Sequence, residues 1–317
     1  MYPANITRDE AELRSQVIST HSYEVLIDLS GRVADAGEHT PAETFVSRSK
    51  IGFGSRGADS HVNLIADRLI SATLDGEPLA PEAFADHRLH FSATPGEHEL
   101  EVVAVCRYSR TGEGLHRFVD PVDDRVYLYT QFETADARRM YACFEQPDLK
   151  ATFQLTVIAP EHWTVLSNSP VVVPTPEGDG LGRFSFDPTP PISTYITALI
   201  AGEFHTVTDS YPGRSAEIPL SLSCRQSLVQ HLDADRLFAI TRAGFAVFEE
   251  HFGVPYPFAD YAQVFVPEFN AGAMENAGCV TIRDEYLFRS RTTDAAYEAR
   301  DNTILHELAH MWFGDLV

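Results

Sequence analysis

The chain has 317 residues, of which 44% are hydrophobic, so its length suits two globular domains and its composition excludes a disordered protein. The formal net charge of −22 argues against nucleic acid or an anionic membrane surface as a partner. The chain contains neither a signal-peptide core nor a run of 18 apolar residues. Its four cysteines form no Cys-x-x-Cys pair, which is typical of free thiols in a reducing compartment. We therefore expect a cytoplasmic protein that contacts neither nucleic acid nor membrane.

From about residue 22 to residue 204 the dominant hydrophobic period is two. The segment SYEVLIDL, for example, places Tyr23, Val25, Ile27 and Leu29 on one face. Segments 94–97, 174–180 and 188–191, rich in proline and glycine, are expected to break the strands. The pattern predicts an N-terminal antiparallel β domain over residues 1–204, built as a sandwich or a saddle-like curved sheet.

After residue 205 the pattern becomes mixed. Residues 226–252 have a helical period, and Gly253 with the following Pro-Tyr-Pro turn ends it. A strand over 261–269, a Gly/Ala/Asn loop over 270–279, a second strand over 279–288 and a helix from Asp294 complete the order. The sequence thus predicts the α+β class, with a mixed α/β domain occupying residues 205–317.

The last helix carries the motif His306-Glu307-Leu-Ala-His310. Side chains at i and i+4 share one face of a helix, so both histidines can bind the same metal ion. Glu307 lies between them, where it can take a proton from a water molecule. Zinc usually has a third protein ligand, and after His310 the chain offers only Asp315 as a candidate.

The sequence around this motif favours metal binding over coincidence. The run from Asp294 contains neither proline nor glycine before Gly314 and has an apolar helical stripe, and Thr293 or Asp294 can cap it. An amphipathic helix with two exposed histidines is the alternative interpretation.

Three segments together resemble a known family. Residues 272–276 read GAMEN upstream of the metal motif, residues 130–139 read TQFETADARR, and residues 150–153 read KATF. In this order they resemble the M1 family of zinc aminopeptidases, gluzincins of the aminopeptidase N kind, in an actinobacterial style. The resemblance implies a thermolysin-like catalytic domain after the β domain, one Zn²⁺ per site and peptide substrates with a free N-terminus.

The resemblance also implies roles for individual residues. His306 and His310 would bind the zinc ion, and Glu307 would be the general base. Glu275 and Glu133 would hold the substrate α-amino group, because an opposite charge in a partly desolvated cleft binds an ammonium strongly. The implied substrate-binding residues are Gln131, Glu133, Gly272, Ala273, Met274, Glu275 and Asn276. The small residues of this set would let the substrate backbone approach, and Met274 would line the first side-chain pocket.

In the family, the third zinc ligand, a catalytic tyrosine and a helical domain come later than Val317, the last residue of this chain. We therefore expect a fragment that is inactive alone and belongs to an active aminopeptidase. One departure from the family is the sequence Glu145-Gln146-Pro147, where relatives often have an acidic pair before proline. We expect that segment to be structural.

Other functions remain open on the sequence. An endopeptidase with the same metal motif would not need Glu275, and a non-catalytic β-rich binding fragment would not use the motif at all. An epoxide hydrolase of similar architecture typically has Gly-Gly-Met-Glu-Asn, whereas this chain has Ala273. A metzincin is excluded, because Phe313 stands where that class needs glycine.

Overall fold

The computed structural model describes residues 5–31, 41–171 and 173–316. The chain divides into two compact units. The first contains the chain up to His116 together with Thr130–His162 and Val171–Thr197. The second contains Arg117–Tyr129, Trp163–Pro170 and the chain from Ala198 onward.

Three α-helices and eighteen strands lie within the described residues. The helices are α1 (Arg8–Val17), α2 (Ala234–Phe252) and α3 (Asp294–His310). The first nine strands are β1 (Ile18–Asp28), β2 (Thr44–Asn63), β3 (Arg68–Leu74), β4 (Glu77–Pro78), β5 (Phe84–Ala85), β6 (Arg88–Arg107), β7 (Gly114–Val119), β8 (Val126–Gln131) and β9 (Thr152–Pro160). The others are β10 (Thr164–Leu166), β11 (Thr175–Gly178), β12 (Leu181–Ser185), β13 (Ile200–Gly202), β14 (His205–Pro212), β15 (Glu217–Cys224), β16 (Tyr261–Val266), β17 (Ala273–Met274) and β18 (Cys279–Arg283).

The first unit is built on a nine-stranded sheet of order β11-β12-β9-β1-β2-β6-β3-β4, with β5 paired to β6. All pairs are antiparallel except β1 with β9. The predicted alternation in β1 is confirmed, since Tyr23, Val25 and Ile27 are all buried. Tyr23 stacks on Phe153 of β9 with ring centroids 4.6 Å apart. The predicted α+β class, with a β-sheet N-terminal part, is thus confirmed.

The expected break at residues 94–97 is wrong, because β6 runs through this segment and stays paired with β2. Two glycine residues explain why β2 and β6 remain paired here. Gly57 on β2 has φ +88° and Gly96 on β6 has φ +142°, conformations that other residues rarely adopt. An added Cβ on Gly57 would lie 2.9 Å from the Pro95 ring, so the missing side chain also leaves room for the proline beside the paired strand.

Helix α1 was not predicted, although its start carries a recognisable signal. The Thr7 hydroxyl accepts a hydrogen bond from the Glu10 backbone N–H, and the Glu10 carboxylate accepts one from the Thr7 N–H. This is the capping box that a Thr-x-x-Glu sequence can form. The signal was missed because the helix is short and mostly polar, so it lacks a clear apolar stripe.

The second unit contains most of a four-stranded sheet, whose strands β7 and β8 include residues assigned to the first unit, and the whole of a five-stranded sheet. One has the order β10-β13-β8-β7, and the other has the order β14-β15-β16-β18-β17. In the latter, β15, β16 and β18 are parallel, and every residue of β16 is buried, as is typical of a strand covered on both faces. Helix α2 packs on α3 at Gly244, where an added Cβ would lie 2.6 Å from Leu305. The absent side chain therefore lets the two helices approach closely.

Three predicted elements of this unit are shorter than expected. Strand β16 ends at Val266, whereas the prediction ran to residue 269. Helix α2 begins at Ala234, and Gln226–His231 forms a 3₁₀ turn instead. Strand β18 ends at Arg283, because the buried Asp284 turns away to bind Arg225 at 2.8 Å. Arg225 also binds the buried Asp120 at 2.6 Å. This ion pair network fixes the point at which the strand stops.

The four cysteines are buried and free, as expected. No helix in the described part of the chain is long and apolar enough to cross a membrane.

The segment Glu145-Gln146-Pro147 lies inside the first unit. Glu145 is 5% exposed, and its carboxylate accepts a hydrogen bond from the Arg138 backbone N–H at 2.8 Å. Burial raises the pKa of Glu145 from 4.5 to about 7, although the Arg138 N–H and guanidinium oppose this shift. Gln146 donates to the Ala11 carbonyl and the Ser15 hydroxyl of α1.

This raised pKa predicts a pH-dependent effect of Glu145→Gln on stability. A carboxyl group whose pKa is raised on folding contributes stability below its unfolded pKa and loses it as pH rises through the folded pKa. Glutamine keeps the acceptor for the Arg138 N–H but carries no charge. We expect the variant to be more stable than the wild type at pH 8, with the gain about 2 kcal/mol smaller at pH 5.5.

Urea unfolding at the two pH values measures the change, with the exposed Glu82→Gln as a matched control. Equal gains at pH 8 and pH 5.5 would contradict the prediction.

Candidate metal and substrate site

Helix α3, which carries the metal motif, is fixed along its first half. The Thr293 side chain caps it by accepting from the Ala296 N–H, so of the two predicted caps Thr293 is the one used. Arg300 is 1% exposed and binds the Asp233 carboxylate at 3.1 Å. Its guanidinium also lies over the rings of Phe288 and Tyr297. A buried cation with these partners leaves the helix little freedom to rotate.

The other end of α3 is held by an aromatic anchor. The Trp312 indole N–H donates to the Val254 carbonyl at 3.0 Å. Its ring packs edge-on against Phe252 and Tyr256, with centroids 5.7 Å apart in both cases. Because the two histidines lie between this anchor and Arg300, their positions on the helix are well fixed.

The two histidines of the motif meet at one point. His306 Nε2 and His310 Nε2 are 3.1 Å apart, and the rings are nearly perpendicular. Two nitrogen ligands of a tetrahedral zinc ion, each about 2.05 Å from the metal, lie about 3.4 Å apart. The spacing of these nitrogen atoms therefore fits a shared zinc ion.

A backbone contact selects the tautomer of His310. Its Nδ1 lies 2.9 Å from the Phe313 carbonyl oxygen, which can accept only if Nδ1 carries the proton. The lone pair is then on Nε2, the atom that faces His306. Metal-binding histidines usually have such a carbonyl partner on their second nitrogen.

Gly314 makes this contact possible. Its φ of +122° is strained for any side chain, and an added Cβ would lie 3.2 Å from His310 Nδ1. The glycine therefore lets the chain turn back so that the Phe313 carbonyl faces the imidazole.

Two carboxylates join His310. The ligand atoms of Glu275, Glu307 and His310 all lie within 4.8 Å of one another, and Glu307 is 5% exposed. This is the one group of three potential ligands in the described ranges, and it does not include Asp315. Asp315, which the sequence offered as a third ligand, is itself buried. The site thus combines two imidazoles with two acidic side chains.

The segment that carries Glu275 is a hairpin at the end of the five-stranded sheet. Ala273 and Met274 form β17 and pair with Ile282 and Thr281 of β18. The Gly272 carbonyl accepts from the Arg283 N–H at 3.0 Å. Because Glu275 directly follows β17, the sheet fixes where its backbone begins to turn.

The remaining predicted residues of this segment differ in exposure. Gly272 and Ala273 are half-buried, whereas Met274 is 1% exposed and Asn276 is 0% exposed. The side-chain amide of Asn276 donates to the Thr281 hydroxyl at 3.3 Å, and its backbone carbonyl accepts from the Cys279 N–H at 2.9 Å. The side chains of Met274 and Asn276 thus face the protein interior. Direct substrate contact by either one stays a prediction.

Gln131 and Glu133 belong to the first unit. Gln131 is the last residue of β8 and is half-buried, while Glu133 is exposed and precedes a cis peptide bond to Thr134. Their assignment to the substrate amino group stays a prediction.

Sequence reasoning missed several residues that shape this site. The φ of Gly314 could have been suspected, because a glycine just after a helix often marks a special backbone conformation. Arg300 carried a weaker signal, a charged residue in a helix with an apolar stripe. Asn168, whose amide contacts the Ala277 carbonyl at 2.8 Å, gave none, because 109 residues separate the two in sequence.

Two segments of the chain match models of known protein families. Residues 83–196 match the peptidase M1 N-terminal domain, and residues 237–317 match the peptidase family M1 domain. The chain is 54% identical over 315 residues to aminopeptidase N of Streptomyces lividans, covering 99% of this chain and 36% of that protein. It is 34% identical over 295 residues to aminopeptidase N of Acetobacter pasteurianus, covering 88% of this chain and 76% of that protein.

The two matched domains are those of an M1-type peptidase. The chain belongs to peptidase family M1. The Streptomyces relative supports the actinobacterial kind that the sequence indicated. The chain spans about a third of the length of that relative.

The contact between Phe313 and His310 predicts that Gly314→Ala weakens zinc binding. The new Cβ would displace either the imidazole or the carbonyl that orients it. Loss of such an orienting partner typically lowers metal affinity about 10- to 100-fold. Competition with a chromophoric chelator measures the zinc Kd of both proteins.

Gly96→Ala is the matched control, because Gly96 also has a positive φ but nothing lies within 4 Å of its added Cβ. Similar zinc affinity in wild type and Gly314→Ala would show that the contact does not orient His310.

The crowded carboxylates predict that Glu275→Gln stabilises the metal-free protein. Two negative charges separated by less than 4.8 Å repel each other by about 3 kcal/mol at an effective dielectric constant of 20. Removing one charge is expected to raise the free energy of unfolding by about 1–2 kcal/mol after relaxation.

Urea unfolding in the presence of a chelator tests this, with the exposed Glu298→Gln on α3 as control. A variant no more stable than the wild type would contradict the repulsion.

Proposed function

We propose that the protein is a zinc-dependent aminopeptidase that releases the N-terminal residue of peptides. The observation that carries the proposal is the convergence of Glu275, Glu307 and His310 beside the 3.1 Å histidine pair. The names of the relatives support it, since aminopeptidase N recurs among them.

His306 and His310 would hold the zinc ion through Nε2. Two neutral imidazoles with a fixed tautomer are typical zinc ligands. When bound, zinc supplies a Lewis acid that polarises a carbonyl and lowers the pKa of water towards neutrality.

Glu307 would be the general base. It lies between the two histidines on α3 and is nearly buried, so few waters compete for its oxygens. A carboxylate in this position can accept a proton from the attacking water and return it to the leaving amine.

Glu275 would bind the substrate ammonium group. Its carboxylate lies in the same cluster as Glu307, so an amine bound to it would hold the first peptide bond near the base. An acetylated terminus carries no positive charge and would gain nothing from this carboxylate. We propose that Glu133 and Gln131 assist in holding the amine.

The chain around Gly272 would receive the peptide backbone. An added Cβ on Gly272 would find only the Tyr286 hydroxyl within 4 Å, at 3.7 Å, so this position has room for a substrate atom. Strand β17 is also the last strand in its sheet, the usual place for an extended peptide to bind. Met274 and Asn276 would support this surface from the interior.

We further propose that the 317-residue polypeptide by itself has little peptidase activity. Two imidazoles hold zinc more weakly than three protein ligands do. The family resemblance implies a third ligand outside these residues, and the chain covers 36% of its Streptomyces relative. The activity is therefore proposed for the whole protein.

The proposal predicts distinct effects for two carboxylate variants of the enzyme expressed from its complete gene. Glu307→Gln should keep one zinc per chain but lower kcat by about 10²- to 10⁴-fold, the usual contribution of a general base. Glu275→Gln should mainly raise KM for peptides with a free terminus. Rates on leucine arylamide and on its N-acetylated form measure both effects.

Glu298→Gln on the exposed side of α3 should leave all constants unchanged. Equal cleavage of free and acetylated substrates by the wild type would instead indicate an endopeptidase. A purified wild type that binds zinc but cleaves neither substrate would favour a non-catalytic role.

A further inference from the structure

We propose that Asn168 and Met311 are positioning residues that hold Ala277 and Gly278, and thereby set the place of Glu275 beside the metal helix. The inference rests on the proposed function, since it concerns recognition of the substrate amine by Glu275. All of these residues belong to the second unit.

Asn168 uses both ends of its side-chain amide. Its Nδ2 donates to the Ala277 carbonyl at 2.8 Å, and its Oδ1 accepts from the Ala198 N–H at 2.7 Å. The residue is 4% exposed, so both hydrogen bonds are shielded from water. Ala277 lies only two residues after Glu275.

Met311 contacts Gly278, the residue after Ala277. It comes from a later part of the chain, whereas Asn168 comes from an earlier part. Its thioether sulfur accepts from the Gly278 N–H at 3.4 Å, and its side chain is fully buried. Met311 directly follows the metal-binding His310 at the end of α3. It is therefore a direct link between the metal helix and the segment that carries Glu275.

The held segment has little room to adjust. Gly278 has φ +69°, and an added Cβ would lie 3.3 Å from the Asp260 carbonyl oxygen and 3.4 Å from that of Asn168. Its own carbonyl accepts from the Ala262 N–H at 2.9 Å. Between this fixed point and β17 lie only Glu275, Asn276 and Ala277. A shift at Ala277 would thus move the Glu275 carboxylate.

The side-chain amide of Asn168 suits this role, and a carboxylate could not fulfil it. One atom must donate to a carbonyl while the other accepts from an N–H, which an amide does and a carboxylate cannot. Asn168→Asp would keep the shape and the bond to Ala198 but would place an oxygen against the Ala277 oxygen. The displacement would affect amine binding, whereas His306 and His310 lie on a separate element and would keep their geometry.

The test uses the zinc-loaded enzyme expressed from its complete gene. For Asn168→Asp we expect KM for leucine arylamide to rise about tenfold, as for the loss of one buried hydrogen bond. The preference for the free over the N-acetylated substrate should fall by a similar factor, while the zinc Kd stays within about twofold. Asn302→Asp, an exposed position on α3, is the matched control.

Met311 offers an independent pair of variants. Met311→Leu keeps the apolar volume but removes the acceptor, and a rise in KM of about threefold is expected because sulfur is a weak acceptor. Met311→Gln has a similar shape and an amide oxygen, so it should restore the KM of the wild type.

The outcomes separate the two proposals. A wild-type enzyme that shows no preference for a free N-terminus would contradict the proposed function, and it would contradict this inference as well. A wild type with that preference, together with an Asn168→Asp enzyme of unchanged KM, would overturn the positioning role alone. If Asn168→Asp also weakened zinc binding, the positioning role would be overturned, because the substitution would then act on the metal helix. If Asn168→Asp does not fold, equal KM values for Met311→Leu and Met311→Gln decide against the proposal.

Discussion

The structure depends on holding two carboxylates close together beside a pair of imidazoles. Glu275, Glu307 and His310 have their ligand atoms within 4.8 Å of one another, a distance at which like charges repel appreciably. Such an arrangement becomes more favourable when a cation lies near it. A metal ion on the histidines and an ammonium on Glu275 would each supply positive charge. The proposed recognition therefore uses the negative charge gathered here, because both groups that the proposed reaction requires are cations.

Contacts around the site hold these carboxylates in place. Arg300 and Trp312 anchor the metal helix before and after the motif. The β17–β18 pair fixes the start of the opposing segment, and Asn276 closes its turn on Cys279. Each anchor makes hydrogen bonds or ring contacts, so it can oppose repulsion of a few kcal/mol without a large rearrangement. Strand β18 is itself buried on both faces from Cys279 to Ile282.

Those parts of the fold could be predicted from the sequence whose signal lies in neighbouring residues. The period of two in β1, the metal helix from Asp294 and its Thr293 cap all followed from neighbouring residues. Local rules failed where a distant contact prevailed. Strand β18 ends at Arg283 because Asp284 binds Arg225, 59 residues away. Strand β6 continues through its Pro-Gly segment because Gly57 on the partner strand leaves room for Pro95. In both cases a partner from another element determined the backbone.

The same distinction applies to the candidate site. The residues that would do the chemistry stand in short motifs, because a helix places His306 and His310 together by its own geometry. The residues that orient them do not. The Phe313 carbonyl acts through the backbone, so no side chain marks it, and only the φ of Gly314 reveals why that carbonyl can reach the imidazole. Asn168 reaches Ala277 through the fold alone. A family motif thus identifies the reacting groups, while their relative positions are set by contacts that only the folded structure contains.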